Sequence, residues 1–285
     1  VPKALTALAA GVGLSISGLQ MQTVFKNPLA GPYVLGISAG ASLGVAILLL
    51  GFSGIFIATS FSVINNWLIV IAAWIGSGLI LFIILAVSMR VKDIMTILIL
   101  GIMFGSATTA IVSILQYFSN ESQLKAFIVW TMGSLGGVSQ SQLSVLLPSV
   151  LVGVIIVSLL SKVLNAMLMG ENYAKSLGLN IKLARFLIFL STSLLAGSIT
   201  AFCGPIGFIG IAVPHIARMV FKTANHNTLI PATILFGAAL LLLSDIISQL
   251  PGSDNILPIN SITALVGIPV VIWIIIKNQR IASLG

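Results

Sequence analysis

Charge is what this sequence has least of. Asp, Glu, Lys and Arg make up only 6% of its 285 residues, against about 25% in soluble domains, which excludes an ordinary soluble fold. Acidic residues are scarcest, five in all. A gradient-coupled transporter is expected to carry several carboxylates inside its spans; this chain has one, Asp245. Histidine occurs twice, as His215 and His226, and neither has a Cys, His or carboxylate at metal-ligand spacing, so no fixed metal site is expected. The single cysteine, Cys203, rules out an internal disulfide and leaves the redox compartment open. No GxxxxGK[ST] loop occurs, so nucleotide binding within the chain is unsupported. The net charge of +8 does not point to nucleic acid, because no Lys/Arg runs or interleaved aromatic stripes accompany it.

What the chain has instead is hydrocarbon. Hydrophobic residues make up 58% of it, and apolar runs fall at about 4–24, 33–58, 67–89, 94–118, 143–169, 183–203, 206–221, 228–250 and 258–276. A helical span needs about 20 residues, so most of these qualify, and the expected fold is an all-α, polytopic transmembrane bundle forming one domain over 1–285. The run at 206–221 is short and opens with GPIGFIG, as a half-helix or broken helix would. Segment 124–138 is also short, and Trp130 places it at the interface or in a re-entrant position.

Basic residues set the topology. Placing 25–32, 89–93, 162–185, 218–227 and 277–285 on one side gathers Lys26, Arg90, Lys92, Lys162, Lys175, Lys182, Arg185, Arg218, Lys222, Lys277 and Arg280 there, eleven of thirteen. Only Lys3 and Lys125 remain opposite. That side is read as cytoplasmic, with the C-terminus on it. Nine spans then put Val1 outside, which is most simply explained if one earlier span is absent from this chain.

Glycine is abundant, 27 residues, in clusters such as GVGLSISG and GISAGASLG whose spacing suits close helix packing. Gly36-Ile37-Ser38-Ala39-Gly40 also matches the G-x-S-x-G nucleophile elbow. That motif needs a strand before it, and none is expected here, so helix packing is the favoured reading. Broken Gly/Pro segments, with Gly36, Ser38, Gly40, Gly204, Pro205 and Gly207, are candidates to line or gate a pathway, since irregular backbone at membrane depth must face protein or a wet cavity. Asp245, in LLLLSDIISQ, would be the proton or cation site of a secondary transporter. Its place near the outer end of its span favours a hydrogen bond to Ser, Thr or Asn on a neighbouring helix.

The longest charged interruption is GENYAKSLGLNIKLAR, Gly170 to Arg185. Its charges exclude it from hydrocarbon, where each costs about 2.5–3.5 kcal/mol. Read as a helix, Glu171, Lys175 and Gly178 share one side, with the small Ala174 between them. Such a face would let another protein approach; a solvated loop serving only topology is the other reading, and composition separates neither.

Four blocks resemble one family. GLQMQTVFKNPLAGPYVLGISAGASLG (Gly18–Gly44), GENYAKSLGLNIKLAR, CGPIGFIGIAVPHIAR (Cys203–Arg218) and LPINSITALVGIPVVIWII (Leu257–Ile275) are similar to signatures of FecCD-type permeases of binding-protein-dependent ABC importers for iron–siderophores, haem and cobalamin. The resemblance implies ten helices per subunit, a two-subunit translocation unit (here a homodimer), a bacterial cytoplasmic membrane setting in lipid, and an extracytoplasmic solute-binding protein. It also implies two cytoplasmic ATPase subunits that bind the ATP and Mg, with no cofactor in this chain. Gly170, Glu171, Ala174, Lys175, Gly178 and Arg185 then match the ATPase-coupling segment. Lys3 stands where the family has an outer-face Arg that docks the binding protein, and Gln249 stands where it has a second, which leaves the usual docking charges incomplete.

Overall fold

The computed structural model describes residues 2–51, 64–91, 93–249 and 256–282. Among them are α1 (Pro2–Val24), α2 (Ile37–Ala46), α3 (Ile64–Arg90), α4 (Ile94–Tyr117), α5 (Glu121–Thr131), α6 (Gln140–Leu159), α7 (Ser161–Met169), α8 (Glu171–Ser176), α9 (Ile181–Cys203), α10 (Ile209–Phe221), α11 (His226–Ser248) and α12 (Ile259–Ala282). The all-α expectation holds: the one β contact among the described residues is an isolated bridge between Gln249 and Ile256. Six helices, α1, α3, α4, α6, α9 and α11, are long and apolar enough to cross a membrane. This is a multi-pass membrane protein. The run expected at 33–58 is a 3-10 turn at Pro32–Leu35, then α2 and a π turn over Ile47–Gly51; its remainder lies outside the described residues. The run expected at 206–221 shortens to α10, 13 residues or about 20 Å of helix, too short to cross.

One expectation needs correction. The run 143–169 is not a single span: α6 stops at Leu160, where ψ turns to 1°, and α7 starts a new direction. The sequence reason is Ser161-Lys162, the first polar pair after an apolar stretch. α7 buries Leu164, Ala166 and Met167 on one side and leaves Lys162 exposed, which suits a helix lying against the bundle.

Polarity runs inside out. α1 has a mean hydropathy of 1.4 and 78% of its window is buried, whereas α3 has 2.8 and 33%. Lipid is as apolar as leucine, so outer helices gain nothing from polar groups, while inner helices can use them to bond each other. At the centre Gln20 donates to Ser191 Oγ at 2.8 Å and accepts from Thr192 Oγ1 at 3.0 Å, joining α1 to α9. Ser15 Oγ reaches the Thr233 carbonyl of α11 at 3.1 Å.

The glycines bring backbones into contact. A Cβ on Gly18 would overlap the Gly210 carbonyl of α10, one on Gly11 the Gly237 carbonyl of α11, and one on Gly40 the Gly76 carbonyl of α3. Gly78, by contrast, has nothing within 4 Å of such a carbon. Overpacking costs about 1–3 kcal/mol or more, so Gly18→Ala is expected to lower the Tm of the detergent-purified protein by several degrees, while Gly78→Ala leaves it unchanged or slightly higher. Equal Tm values for the two variants would contradict the packing described.

Candidate functional site

The connector between α7 and α9 is built from two opposed turns rather than one helix, which corrects the expectation for 170–185. Gly170 has φ 118° and ψ 153°, a conformation open only to glycine without strain. It ends α7 and re-aims the chain into α8. Six residues later the chain stops again. The Gly178 amide bonds the Lys175 carbonyl at 2.9 Å and the Leu179 amide bonds the Ala174 carbonyl at 3.1 Å, the two bonds of a Schellman cap, with Gly178 at φ 82° in the left-handed position that cap requires. Asn180 then starts α9, its Oδ1 accepting from the Leu183 amide at 3.2 Å.

A buried charge fixes this segment to the bundle. Arg185, one turn into α9, is 3% exposed. Its Nε donates to Glu171 Oε1 at 2.8 Å, and Nη2 to Oε1 at 2.6 Å and Oε2 at 2.7 Å. The fork geometry suits arginine and not lysine. Nη1 donates to the Val91 carbonyl at 3.2 Å, so one guanidinium ties α8 to α9 and to the turn between α3 and α4. Across that turn Asp93 caps α4, accepting from Thr96 Oγ1 at 2.8 Å and from the Met95 and Thr96 amides. The Thr96 hydroxyl, then those amides, hold its carboxyl below the usual range, with Arg185 adding a smaller pull.

Of the six residues expected here, Ala174 and Arg185 are buried, Gly170 and Glu171 half-buried, and Lys175 and Gly178 exposed. The exposed residues of 170–178 therefore include Lys175 and Gly178 with Asn172, Ser176 and two large side chains the sequence did not single out, Tyr173 at 48% and Leu177 at 58% exposure. An apolar pair held in water on a rigid turn is a surface suited to covering by another protein.

The chain matches the family model described as the FecCD transport family over residues 1–277. This chain belongs to the FecCD transport family. It is 37% identical over 280 residues to the vitamin B12 import system permease protein BtuC of Klebsiella pneumoniae subsp. pneumoniae, covering 98% of this chain and 81% of that one. It is 36% identical to the BtuC of Salmonella typhi over 283 residues, 98% and 83% of the two chains. Among solved structures, a chain described as a metal-chelate type ABC transporter in an inward-facing conformation superposes with a TM-score of 0.87 at 30% identity, over 97% of this chain and 85% of that one. A second, PsaBC from Streptococcus pneumoniae in complex with Fab, shares the fold with a TM-score of 0.64 at 16% identity.

The FecCD chain's remaining candidates lie in two other places. Lys3 Nζ is 2.9 Å from Asp245 Oδ1, and Gln249 Nε2 donates to Asp245 Oδ2 at 2.9 Å. The two residues expected at a docking face thus converge on one carboxylate, beside a cavity of about 290 Å³ that also touches Met132–Gly136 and Ile256–Ile259. Asp245 is held by Lys3 and Gln249 rather than by the Ser, Thr or Asn expected. Among the pathway candidates, the structure brings the two irregular segments together: Tyr33 donates to the Ile206 carbonyl, and Gly207 N–H donates to Asn260 Oδ1 at 2.9 Å. Gly204, at φ 74°, packs on Trp130 and Gly133. Gly36 and Gly40 lie elsewhere, against α3 and α4, and Ser38 is half-buried at the start of α2. No group of three or more His, Cys, Asp or Glu gathers among the described residues. His215 is 2.7 Å from the Pro28 carbonyl and His226 is 2.8 Å from Thr23 Oγ1.

Two variants check this site. Glu171→Ala strands a buried guanidinium, and hydrogen bonds to charged groups contribute about 1.5–3 kcal/mol, so it is expected to destabilise the purified protein more than Glu171→Gln does. Gly178→Val meets no neighbour but forces a β-branched residue to positive φ. Hydrogen exchange at Leu177–Asn180 is expected to rise severalfold, with the transmembrane helices unaffected.

Proposed function

We propose that this chain is the permease subunit of an ATP-driven importer, moving a metal chelate of the cobalamin, haem or iron–siderophore class across the bacterial cytoplasmic membrane. It works paired with a second copy of itself, and its C-terminus is cytoplasmic. The observation that carries the reading is the strapped α8 platform, whose exposed Tyr173, Lys175 and Leu177 stand on a base fixed by Arg185, Glu171 and the Val91 carbonyl. Membership of the FecCD transport family and relatives named as vitamin B12 import permeases support it.

The permease does no bond chemistry. Two partner ATPase subunits bind ATP and Mg and push on α8. The Schellman cap and the bidentate pair resist local unfolding, so displacement passes into α9 instead of being absorbed. α9 is the right recipient, because 78% of its window is buried among other helices. Gly204, Pro205 and Gly207 at its far end join the irregular segment through which the path opens or closes.

On the outer face a solute-binding protein delivers the cargo. Lys3, its side chain 28% exposed, is already paired to Asp245. An acidic group on the binding protein therefore competes with Asp245 for it, and Gln249 Nε2 still holds the released carboxylate. The gradient-driven alternative gains nothing from this geometry. Its one carboxylate is already taken by Lys3 and Gln249, and among the described residues no second carboxylate lines the cavity beside it.

The test is reconstitution in liposomes with the ATPase partner and labelled cyanocobalamin, haemin or a ferric siderophore. Uptake is expected for one cargo, only with ATP. Leu177→Asp is expected to cut ATPase co-purification tenfold or more. Uptake that follows a proton gradient and persists without ATP would overturn the proposal.

A further inference from the structure

The α7–α8 arm has a second attachment to the bundle, made from α7 rather than α8. Asn165 sits in the middle of α7, the arm that ends at Gly170. Its Oδ1 accepts from the His226 amide at 2.8 Å and lies 2.8 Å from His226 Nδ1. Its Nδ2 donates to Asn225 Oδ1 at 2.9 Å. Asn225 is the cap of α11, and the same Oδ1 accepts from the Asn227 amide at 2.9 Å. Asn165 therefore takes up one of the first-turn N–H groups of α11 that no carbonyl of that helix can reach.

The contact continues inward. With Asn165 Oδ1 an acceptor, His226 Nδ1 must carry a proton, so in the neutral ring Nε2 is left to accept. It lies 2.8 Å from Thr23 Oγ1 on α1, whose one hydroxyl proton is shared between Nε2 and the Leu19 carbonyl 2.9 Å away. His226 is 1% exposed and Thr23 2%. The chain Asn165–His226–Thr23 thus joins α7 to α11 and α11 to α1, half-buried at Asn165 and closed to water at its inner two members.

We infer that Asn165, His226 and Thr23 form a joint that passes movement of the α7–α8 arm into α11 and α1. This rests on the reading of α8 as the ATPase-driven element. Apolar packing of Leu164 and Met167 against the bundle does not fix register, because such surfaces slide at little cost. A directional network does fix it: a shift of the arm that broke these bonds would leave a helix-end N–H and a buried imidazole unpartnered. Together with Arg185, the joint gives the platform two fastenings, one toward α9 and the α3–α4 turn, one toward α11 and α1. A push on α8 then reaches α9 and α11 at once. Asn165 and Thr23 are positioning residues here; neither touches cargo or nucleotide.

The experiment is hydrogen exchange of the full permease–ATPase complex in nanodiscs, with and without ATP and vanadate. In the wild type, amides over 171–180, 19–24 and 226–230 are expected to respond. In Asn165→Leu the response over 171–180 should persist, while that at 19–24 and 226–230 falls at least threefold. Asn165→Asp keeps the acceptor toward His226 but sets an oxygen against Asn225 Oδ1, so it should restore the response only in part. In Thr23→Val only the 19–24 response should be lost. A purely structural role would change exchange equally with and without nucleotide. Should Asn165→Leu fail to fold, Thr23→Val carries the test alone, and an undiminished response at 19–24 overturns the joint. A wild type that responds at 171–180 but not at 19–24 or 226–230 also overturns it. A wild type that binds no ATPase, or shows no response at 171–180, overturns the reading of α8 instead, and the joint with it.

Discussion

The interaction on which the α8 segment depends is the one between Arg185 and Glu171. A guanidinium 3% exposed is tolerable only if its donors are taken, and leaving one partner out of a buried pair costs about 3–5 kcal/mol; with Glu171 24% exposed at its side chain, water screens part of that here. The requirement fixes geometry. Glu171 must lie at the first turn of α8, so Gly170 must turn the chain there. Arg185 must lie one turn into α9, so the chain between them must reverse within a few residues, which Gly178 allows.

This arrangement separates two duties that a continuous helix would combine. Charged residues facing inward hold the segment, while Tyr173, Lys175 and Leu177 facing outward are free to be covered. A platform whose anchor and contact face were the same residues would lose its anchor on docking. The Lys3 site shows the opposite arrangement: the same side chain that pairs with Asp245 is also 28% exposed, so anchor and accessible group coincide there.

The spans were legible because the hydrocarbon requirement is severe: runs predicted at 94–118 and 183–203 correspond to Ile94–Tyr117 and Ile181–Cys203. The site was legible in outline and not in detail. Gly178 could be placed on a helix face by counting, but its positive φ ends that helix, a choice made by the Leu179 and Gly178 amides. The partner of Asp245 could not be read, because Lys3 is 242 positions away and local pattern carries no such information. The break at Leu160 was signalled only by Ser161-Lys162, which the apolar average over 143–169 hides. His226 drew attention as a metal ligand and was dismissed, although a buried histidine is as often a hydrogen-bond hub, and its neighbours Asn165 and Thr23 come from other helices.

Glycine explains why such a bundle can transmit motion at all. Where Gly18 meets Gly210 and Gly11 meets Gly237, backbones touch with no side chain between to deform, so α1 packs directly on α10 and α11. Compliance is left to the irregular backbone at Pro32–Leu35 and Gly204–Phe208, which meet through Tyr33 and Ile206. Phe208 there sits at φ 65°, a region costly for a bulky residue, and its Cβ presses where Gly267 of α12 has none. A stiff frame around one strained, glycine-bordered crossing concentrates any imposed displacement at that crossing.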